Sequence, residues 1–130
     1  MGPQPSHVLV VDDEPAVSKV LGTALMRAGF RVTLALSGDT AMSVVREQPV
    51  DVLVVDFRIG DMRGDELYEL ASATQPHLRR RTMVTTGDIS ERVEETIKAL
   101  GVPMLRKPFD LKELIDWVRS VQPRANDQSA

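Results

Sequence analysis

Three observations predict an α/β fold, a doubly wound five-stranded parallel sheet flanked by five helices. The first is a pair of short apolar runs, His7-Val8-Leu9-Val10-Val11 and Val50-Asp51-Val52-Leu53-Val54-Val55, which end in carboxylates at Asp12-Asp13 and at Asp56. Successive aliphatic residues cannot alternate between core and water, so both faces of such strands must be covered, as in a parallel sheet between helices. The second is the regular alternation of extended runs with segments of helical period, which right-handed crossovers wind onto both faces. The third is punctuation by Gly29, Pro49, Gly101 and Pro108 where one element gives way to the next.

Taken in order, residues 1–6 are small, polar and broken by Pro3 and Pro5, and read as a disordered leader. The first strand starts at His7. Glu14-Pro15 opens a helix with Pro at its first position, and Val17, Val20, Leu21, Ala24, Leu25 and Ala28 recur at helical spacing up to Gly29. Phe30 to Leu36 is a second strand. Ser37 is an N-cap, and Ala41, Val44 and Val45 form the inner face of a helix that runs to Gln48-Pro49. The third strand ends at Asp56, and Gly60 to Gly64 is a loop. A helix over Asp65 to Thr74 turns Leu67, Leu70 and Ala71 inward before the polar break at Gln75-Pro76-His77. Strand four is Thr82 to Thr86. A helix from Ser90 to Leu100 buries Val93, Ile97 and Leu100, and strand five is Val102 to Arg106. Asp110, with Glu113 three residues on, starts the last helix like a capping box, its inner face Leu111, Leu114, Ile115 and Val118. Residues 7–121 make one domain, and 122–130 read as a disordered tail.

Composition sets bounds on function. A chain of 130 residues fits one core. A net charge of −3, a pI near 5.4 and no long basic run leave no footprint for a nucleic-acid backbone, so no nucleic-acid contact is expected of this chain. The lack of cysteine excludes disulfides and thiolate metal sites and suits a cytoplasmic location. No stretch approaches the roughly 20 apolar residues that span a bilayer, so no membrane contact is expected. Val11-Asp12-Asp13-Glu14-Pro15 lacks the glycines of a dinucleotide fingerprint, and there is no phosphate-cradling Gly/Lys/Ser loop.

The carboxylates carry the chemistry. If the first and third strands are neighbours, Asp12, Asp13 and Asp56 converge at the carboxyl edge of the sheet, where ligands of such sheets gather. Three carboxylates together either protonate in part or hold a hard cation such as Mg²⁺, which takes oxygen ligands at about 2.0–2.1 Å. Capping or surface roles are the bland alternative for any one of them. His7 and His77 lack metal-ligand spacing to another ligand, Arg79 to Arg81 read as solvated loop charges, and Trp117 sits at the flank of the last helix's apolar stripe.

Asp12-Asp13 after strand one, Asp56 after strand three, Thr86 after strand four and Lys107-Pro108 after strand five together resemble the receiver domain of two-component response regulators. The resemblance covers residues 7–121 and implies a flavodoxin-like sheet of order 2-1-3-4-5. It implies that Asp56 accepts a phosphoryl group from a histidine kinase or histidine phosphotransfer protein. Asp13, Asp56 and the Arg58 backbone carbonyl would bind Mg²⁺, and Asp12 would assist through water. Thr86 and Lys107 would contact the phosphoryl group, the Lys107-Pro108 bond would be cis, and the switch would dephosphorylate itself slowly. Its output partner is not specified. Thr86-Gly87-Asp88 and residues 103–110 look most like receivers of hybrid sensor histidine kinases.

The chain departs from the pattern at Ile59-Gly60, where the family often has Met-Pro, and a more mobile loop is expected there. It departs again at Met104, where many receivers carry a switching aromatic. The long Arg58 side chain is expected to arch over Asp56. Two rivals stand beside this reading. One is a receiver-fold interaction module that is never phosphorylated. The other is a Mg²⁺-dependent phosphatase with Asp56 as nucleophile, although the haloacid dehalogenase type wants a second Asp where this chain has Arg58.

Overall fold

The structure is a computed structural model that describes residues 4–88 and 90–123. Its elements follow the chain as β1 (His7–Val11), α1 (Pro15–Arg27), β2 (Arg31–Ala35), α2 (Gly38–Glu47), β3 (Val52–Asp56) and α3 (Gly64–Thr74). A 3₁₀ helix (Pro76–Arg80), β4 (Thr82–Thr86), α4 (Glu91–Leu100), β5 (Met104–Arg106) and α5 (Leu111–Val121) complete it. The five strands form one parallel sheet in the order β2-β1-β3-β4-β5. This is the predicted order.

The strands alternate after all, but between two cores. Leu9 and Val11 of β1 join Leu53 and Val55 of β3 beneath α2, α3 and α4, with Ala41, Val45, Leu67, Ala71, Val93 and Ile97. Val8, Val10, Val52 and Val54 turn the other way and meet Leu21, Leu25, Leu114 and Val118 of α1 and α5. Both faces are covered, which is why the strand sequences read as continuous apolar runs. Leu9 and Leu53 are fully buried, so truncating either to Ala should cost about 2–5 kcal/mol.

Among the described residues, three helix starts carry side-chain caps, those at Ser37 and Asp110 as expected. Ser37 accepts from the Thr40 N–H, Ser90 from Val93 and Asp110 from Lys112. Two inner-face assignments are corrected. Val20 and Leu70 are exposed (55% and 49%), because at about 3.6 residues per turn each falls outside its helix's buried arc. On α3 that arc runs through Leu67, Tyr68, Ala71 and Ser72, since the helix is flanked by α2 on one side and the 3₁₀ segment on the other. The polar break after α3 is that 3₁₀ segment, and the Tyr68 hydroxyl donates to the Arg79 carbonyl there (3.0 Å).

His7 is buried and structural: Nδ1 donates to the Pro49 carbonyl (2.8 Å) and Nε2 meets the Thr33 hydroxyl (2.7 Å). His77 lies at the surface, with Nε2 against the Val50 carbonyl (2.6 Å). The Ser6 hydroxyl donates to the side chain of Gln122 (3.1 Å), joining the last residue of the expected leader to the first of the expected tail. Residues 1–3 and 124–130 of those two segments lie outside the described residues. Among the described residues, no helix is long and apolar enough to cross a membrane.

Candidate functional site

The register of β1 on β3 aligns Val11 with Val55, so the residues that follow, Asp12 and Asp56, emerge side by side at the carboxyl edge. Asp12 is almost fully buried (1% exposed) and Asp56 nearly so (8%), while Asp13 is exposed. Carboxylate oxygens of the three lie within 4.8 Å of one another. Local bonds fix the turn behind β1: Asp12 Oδ1 accepts from the Glu14 N–H (3.0 Å), and the Ser18 hydroxyl donates to the Asp12 carbonyl (2.9 Å). Behind β3, the Gly64 N–H donates to the Phe57 carbonyl (2.7 Å), and a Cβ on Gly64 would stand 2.5 Å from the Asp56 carbonyl oxygen. Only glycine fits there.

Lys107 arrives from the end of β5, where its N–H donates to the Thr86 carbonyl (2.8 Å), and its bond to Pro108 is cis. Its ammonium lies 2.8 Å from Asp12 Oδ2 and 2.8 Å from Asp56 Oδ2, bridging the two buried carboxylates. Burial, helped by the neighbouring Asp12 charge, pushes the Asp56 carboxyl above its ordinary value, and the Lys107 ammonium only partly offsets this. For Lys107, burial works against the charge, but the hydrogen bonds to Asp12 and Asp56 prevail and hold its pKa above the ordinary value. The cluster is thus two buried anions clamped by one cation, with Asp13 a third anion at the surface.

Above it lies an open cleft of about 380 Å³, lined by Asp13, Asp56, Arg58, Thr86, Asp88 and Lys107 among others. Of the predicted residues, Asp13, Asp56, Arg58, Thr86 and Lys107 line this cleft, and Asp12 lies below it on Lys107. The Thr86 hydroxyl, 2% exposed as a residue, accepts from the Asp88 N–H (2.9 Å). Among the described residues, the polar partner of the Arg58 side chain is not Asp56. That side chain reaches Asp88, Nη2 to Oδ2 at 2.6 Å, while the residue's own N–H approaches Asp56 Oδ1 at 3.4 Å. The reason is electrostatic, since Asp88 offers at the rim a carboxylate held otherwise only by backbone and hydroxyl groups of Ser90, whereas those on the floor already share an ammonium. That guanidinium holds the Asp88 carboxyl well down, to about 2.

Sequence reasoning did not single out Asp88. Its signal was its place two residues after Thr86, at the same sheet edge.

Residues 8–119 match the family described as the response regulator receiver domain. The chain belongs to that family. It is 31% identical to the probable transcriptional regulatory protein TcrX of Mycobacterium tuberculosis, over 93% of this chain and 51% of that protein. It is 24% identical to sporulation initiation phosphotransferase F of Bacillus subtilis, over 89% of this chain and 93% of that one. Among solved structures, chemotaxis protein CheY4 of Vibrio cholerae superposes with a TM-score of 0.79 at 25% identity, covering 90% of this receiver and 98% of that chain. The receiver spans about half the length of the Mycobacterium relative. These relatives carry the names of a transcriptional regulator, a phosphotransferase and a chemotaxis protein, and none is a hybrid kinase.

Proposed function

We propose that this receiver takes a phosphoryl group onto Asp56 from the phosphohistidine of a histidine kinase or histidine phosphotransfer protein and thereby changes its affinity for a partner. The observation that carries the reading is the Asp56 carboxylate on the cleft floor, with Oδ2 on the Lys107 ammonium and Oδ1 meeting only a long N–H approach. An Asp56 oxygen attacks phosphorus, the P–N bond breaks, and its electron pair leaves with the imidazole. Lys107 stays within reach of the charge on the phosphoryl oxygens, and such catalysis is mostly positioning and charge neutralisation.

The donor set suits Mg²⁺: clustered carboxylates and no sulfur or imidazole, the hard-oxygen chemistry this ion selects. Asp13, Asp56 and the Arg58 carbonyl would hold it, with Asp12 assisting, and it would supply positive charge against the phosphoryl oxygens. To donate to a phosphoryl oxygen, the Thr86 hydroxyl would give up its long O–H bond to the Asp88 carbonyl (3.4 Å), which loosens the loop behind β4 and turns chemistry into a change of shape.

For a protein donor, a second hollow of about 620 Å³ adjoins the cleft at Lys107 and is lined by Ala16, Val17, Val20, Leu21, Pro108, Phe109 and Leu111. An apolar helix face seated there would lie beside Asp56. Two outputs have support. Likeness to a phosphotransferase that the receiver covers at 93%, together with the hybrid-kinase-like stretches at 86–88 and 103–110, favours passing the phosphoryl group onward in a cytoplasmic relay. Likeness to a transcriptional regulator about twice as long favours control of a DNA-binding segment in a longer protein.

Intact mass after acetyl phosphate and Mg²⁺ tests the core of this reading. A gain of one phosphoryl group that hydrolyses slowly is expected. No gain would leave an interaction module, and rapid turnover of a small phosphate ester would mark a phosphatase.

A further inference from the structure

The segment after Asp56 is a tight hairpin. Arg58 and Arg63 pair as an antiparallel bridge, and the Asp61 N–H donates to the Ile59 carbonyl (2.8 Å) across the tip. Gly60, at φ +75°, occupies that tip beside the carboxylate cluster, where a Cβ on it would stand 3.5 Å from Asp13 Oδ2. Two residues then reach away from the cleft to one target, the N-terminus of α2. Asp61 Oδ1 accepts from the Gly38 N–H (2.9 Å) and Oδ2 from the Asp39 N–H (3.0 Å). Met62 packs on Gly38 so closely that a Cβ there would come within 2.5 Å of its side chain.

The helix start is capped by two residues from different parts of the chain. The Thr40 N–H goes to Ser37, its local cap, while the Gly38 and Asp39 N–H groups go to Asp61. Capping of α2 alone would not need a carboxylate from 22 residues away in the chain. Those two backbone N–H bonds also hold the Asp61 carboxyl below its ordinary value, so it remains the charged acceptor at neutral pH.

We infer that Asp61 is a positioning residue for the cation and phosphoryl site: by clamping the hairpin tip to α2, it presets the Arg58–Gly60 backbone against Asp13. Pro at the position of Gly60 would stiffen such a loop from within. Here glycine leaves the tip free, and an external clamp restricts it instead. The inference rests on the proposed Mg²⁺-assisted phosphorylation of Asp56. It adds the residue that holds the ligand-bearing loop in place, and outer partners of this kind typically change metal affinity by about 10–100-fold.

The test compares Asp61→Ala, Asp61→Asn and Ser37→Ala with the unaltered protein. Ser37→Ala removes a cap from the same helix without touching the hairpin, so it carries whatever a weakened α2 does by itself. Mg²⁺ is titrated against backbone amide shifts, and amide hydrogen exchange is recorded in metal-free protein. For Asp61→Ala we expect about tenfold weaker Mg²⁺ binding, at the low end of that range, and faster exchange of the Asp61 and Gly64 amides. Asp61→Asn, which keeps an acceptor oxygen, should recover most of the affinity, and Ser37→Ala should leave both readouts near the unaltered values. Equal Mg²⁺ affinity in Asp61→Ala and unaltered protein, or an equal loss in Ser37→Ala, overturns the inference. If the unaltered protein itself shows no Mg²⁺ binding and takes no phosphate, the reading of the site fails instead.

Discussion

Replacing Lys107 by Met removes the ammonium that bridges Asp12 and Asp56 but keeps an aliphatic stem in the apolar hollow it also lines. The side chains of Asp12 and Asp56 are only 1% and 10% exposed, so water reaching them from the cleft can replace the cation only in part. The least costly relief is for the pair to retain one proton. At pH 7, keeping a proton on a carboxyl of ordinary pKa about 3.9 costs about 4 kcal/mol, which is therefore the ceiling on the destabilisation. At pH 5 the same ceiling falls to about 1.5 kcal/mol. Lys107 is 21% exposed in its side chain, and screening at the mouth reduces what its removal costs. A loss of about 2–4 kcal/mol at pH 7 is expected, shrinking by more than half at pH 5.

The assay is urea unfolding of both proteins in EDTA at the two pH values. A loss that is the same at both, or smaller than the about 0.5 kcal/mol typical of surface changes, would refute the bridging role. Mg²⁺ should restore the variant, by about 2.7 kcal/mol at a hundredfold excess over its dissociation constant.

Asp56→Asn should take no phosphate from acetyl phosphate by intact mass. Because burial raises the Asp56 pKa, ionising it costs stability as pH rises through the folded value, so in EDTA at pH 7 the Asn variant should be the more stable. That gain, read from urea midpoints, should vanish below the ordinary value of 3.8, and a gain persisting there would contradict it. Arg58→Ala and Asp88→Ala should each shorten the phosphorylated lifetime several-fold, measured as decay in excess Mg²⁺, because the ion pair across the mouth screens the in-line approach of water. Slower decay in Arg58→Ala would mean that its charge assists hydrolysis. With Asp88 titrating at about 2, the pair itself should add no pH dependence to that lifetime above pH 4. Val20→Glu should slow transfer from a protein phosphodonor by about tenfold, equivalent to about 1.4 kcal/mol, and leave uptake from acetyl phosphate unchanged.

The sheet was legible because its evidence is local and redundant. β4 is read at its observed bounds, Thr82 to Thr86, because Arg81 and Gly87 bracket five consecutive buried positions. β3 and β5 each begin two residues later than their apolar runs, at Val52 and Met104, although Val50 and Val102 are buried too. Burial begins before pairing does, and hydrophobicity reports only burial. Leu70 misled for a related reason. Leu67, Leu70 and Ala71 have helical spacing, but so do Leu67, Tyr68, Ala71 and Ser72, and which arc turns inward depends on the neighbours of α3. The carboxylate cluster was legible because strand ends bring it together, and topology sets strand ends.

The loops were read less well, and the cause is physical. Ile59-Gly60 suggested a loosened loop because glycine frees the backbone locally, yet the constraint on it comes from α2, through backbone N–H groups that no side-chain pattern announces. Arg58 suggested a lid because its length allows one, yet its partner is thirty residues on, at Asp88. These two anchors are separate. Asp61 ties the hairpin tip to α2, whereas Arg58 ties its first limb to the loop behind β4, whose Asp88 N–H is in turn held by Thr86. Withdrawing the Thr86 hydroxyl from Asp88 therefore loosens the hold on the Arg58 side chain while the clamp on Gly60 and Asp61 stays in place. The side chain paired with Asp88 at the mouth of the cleft can respond to the state of Thr86 without displacing the backbone beside Asp13.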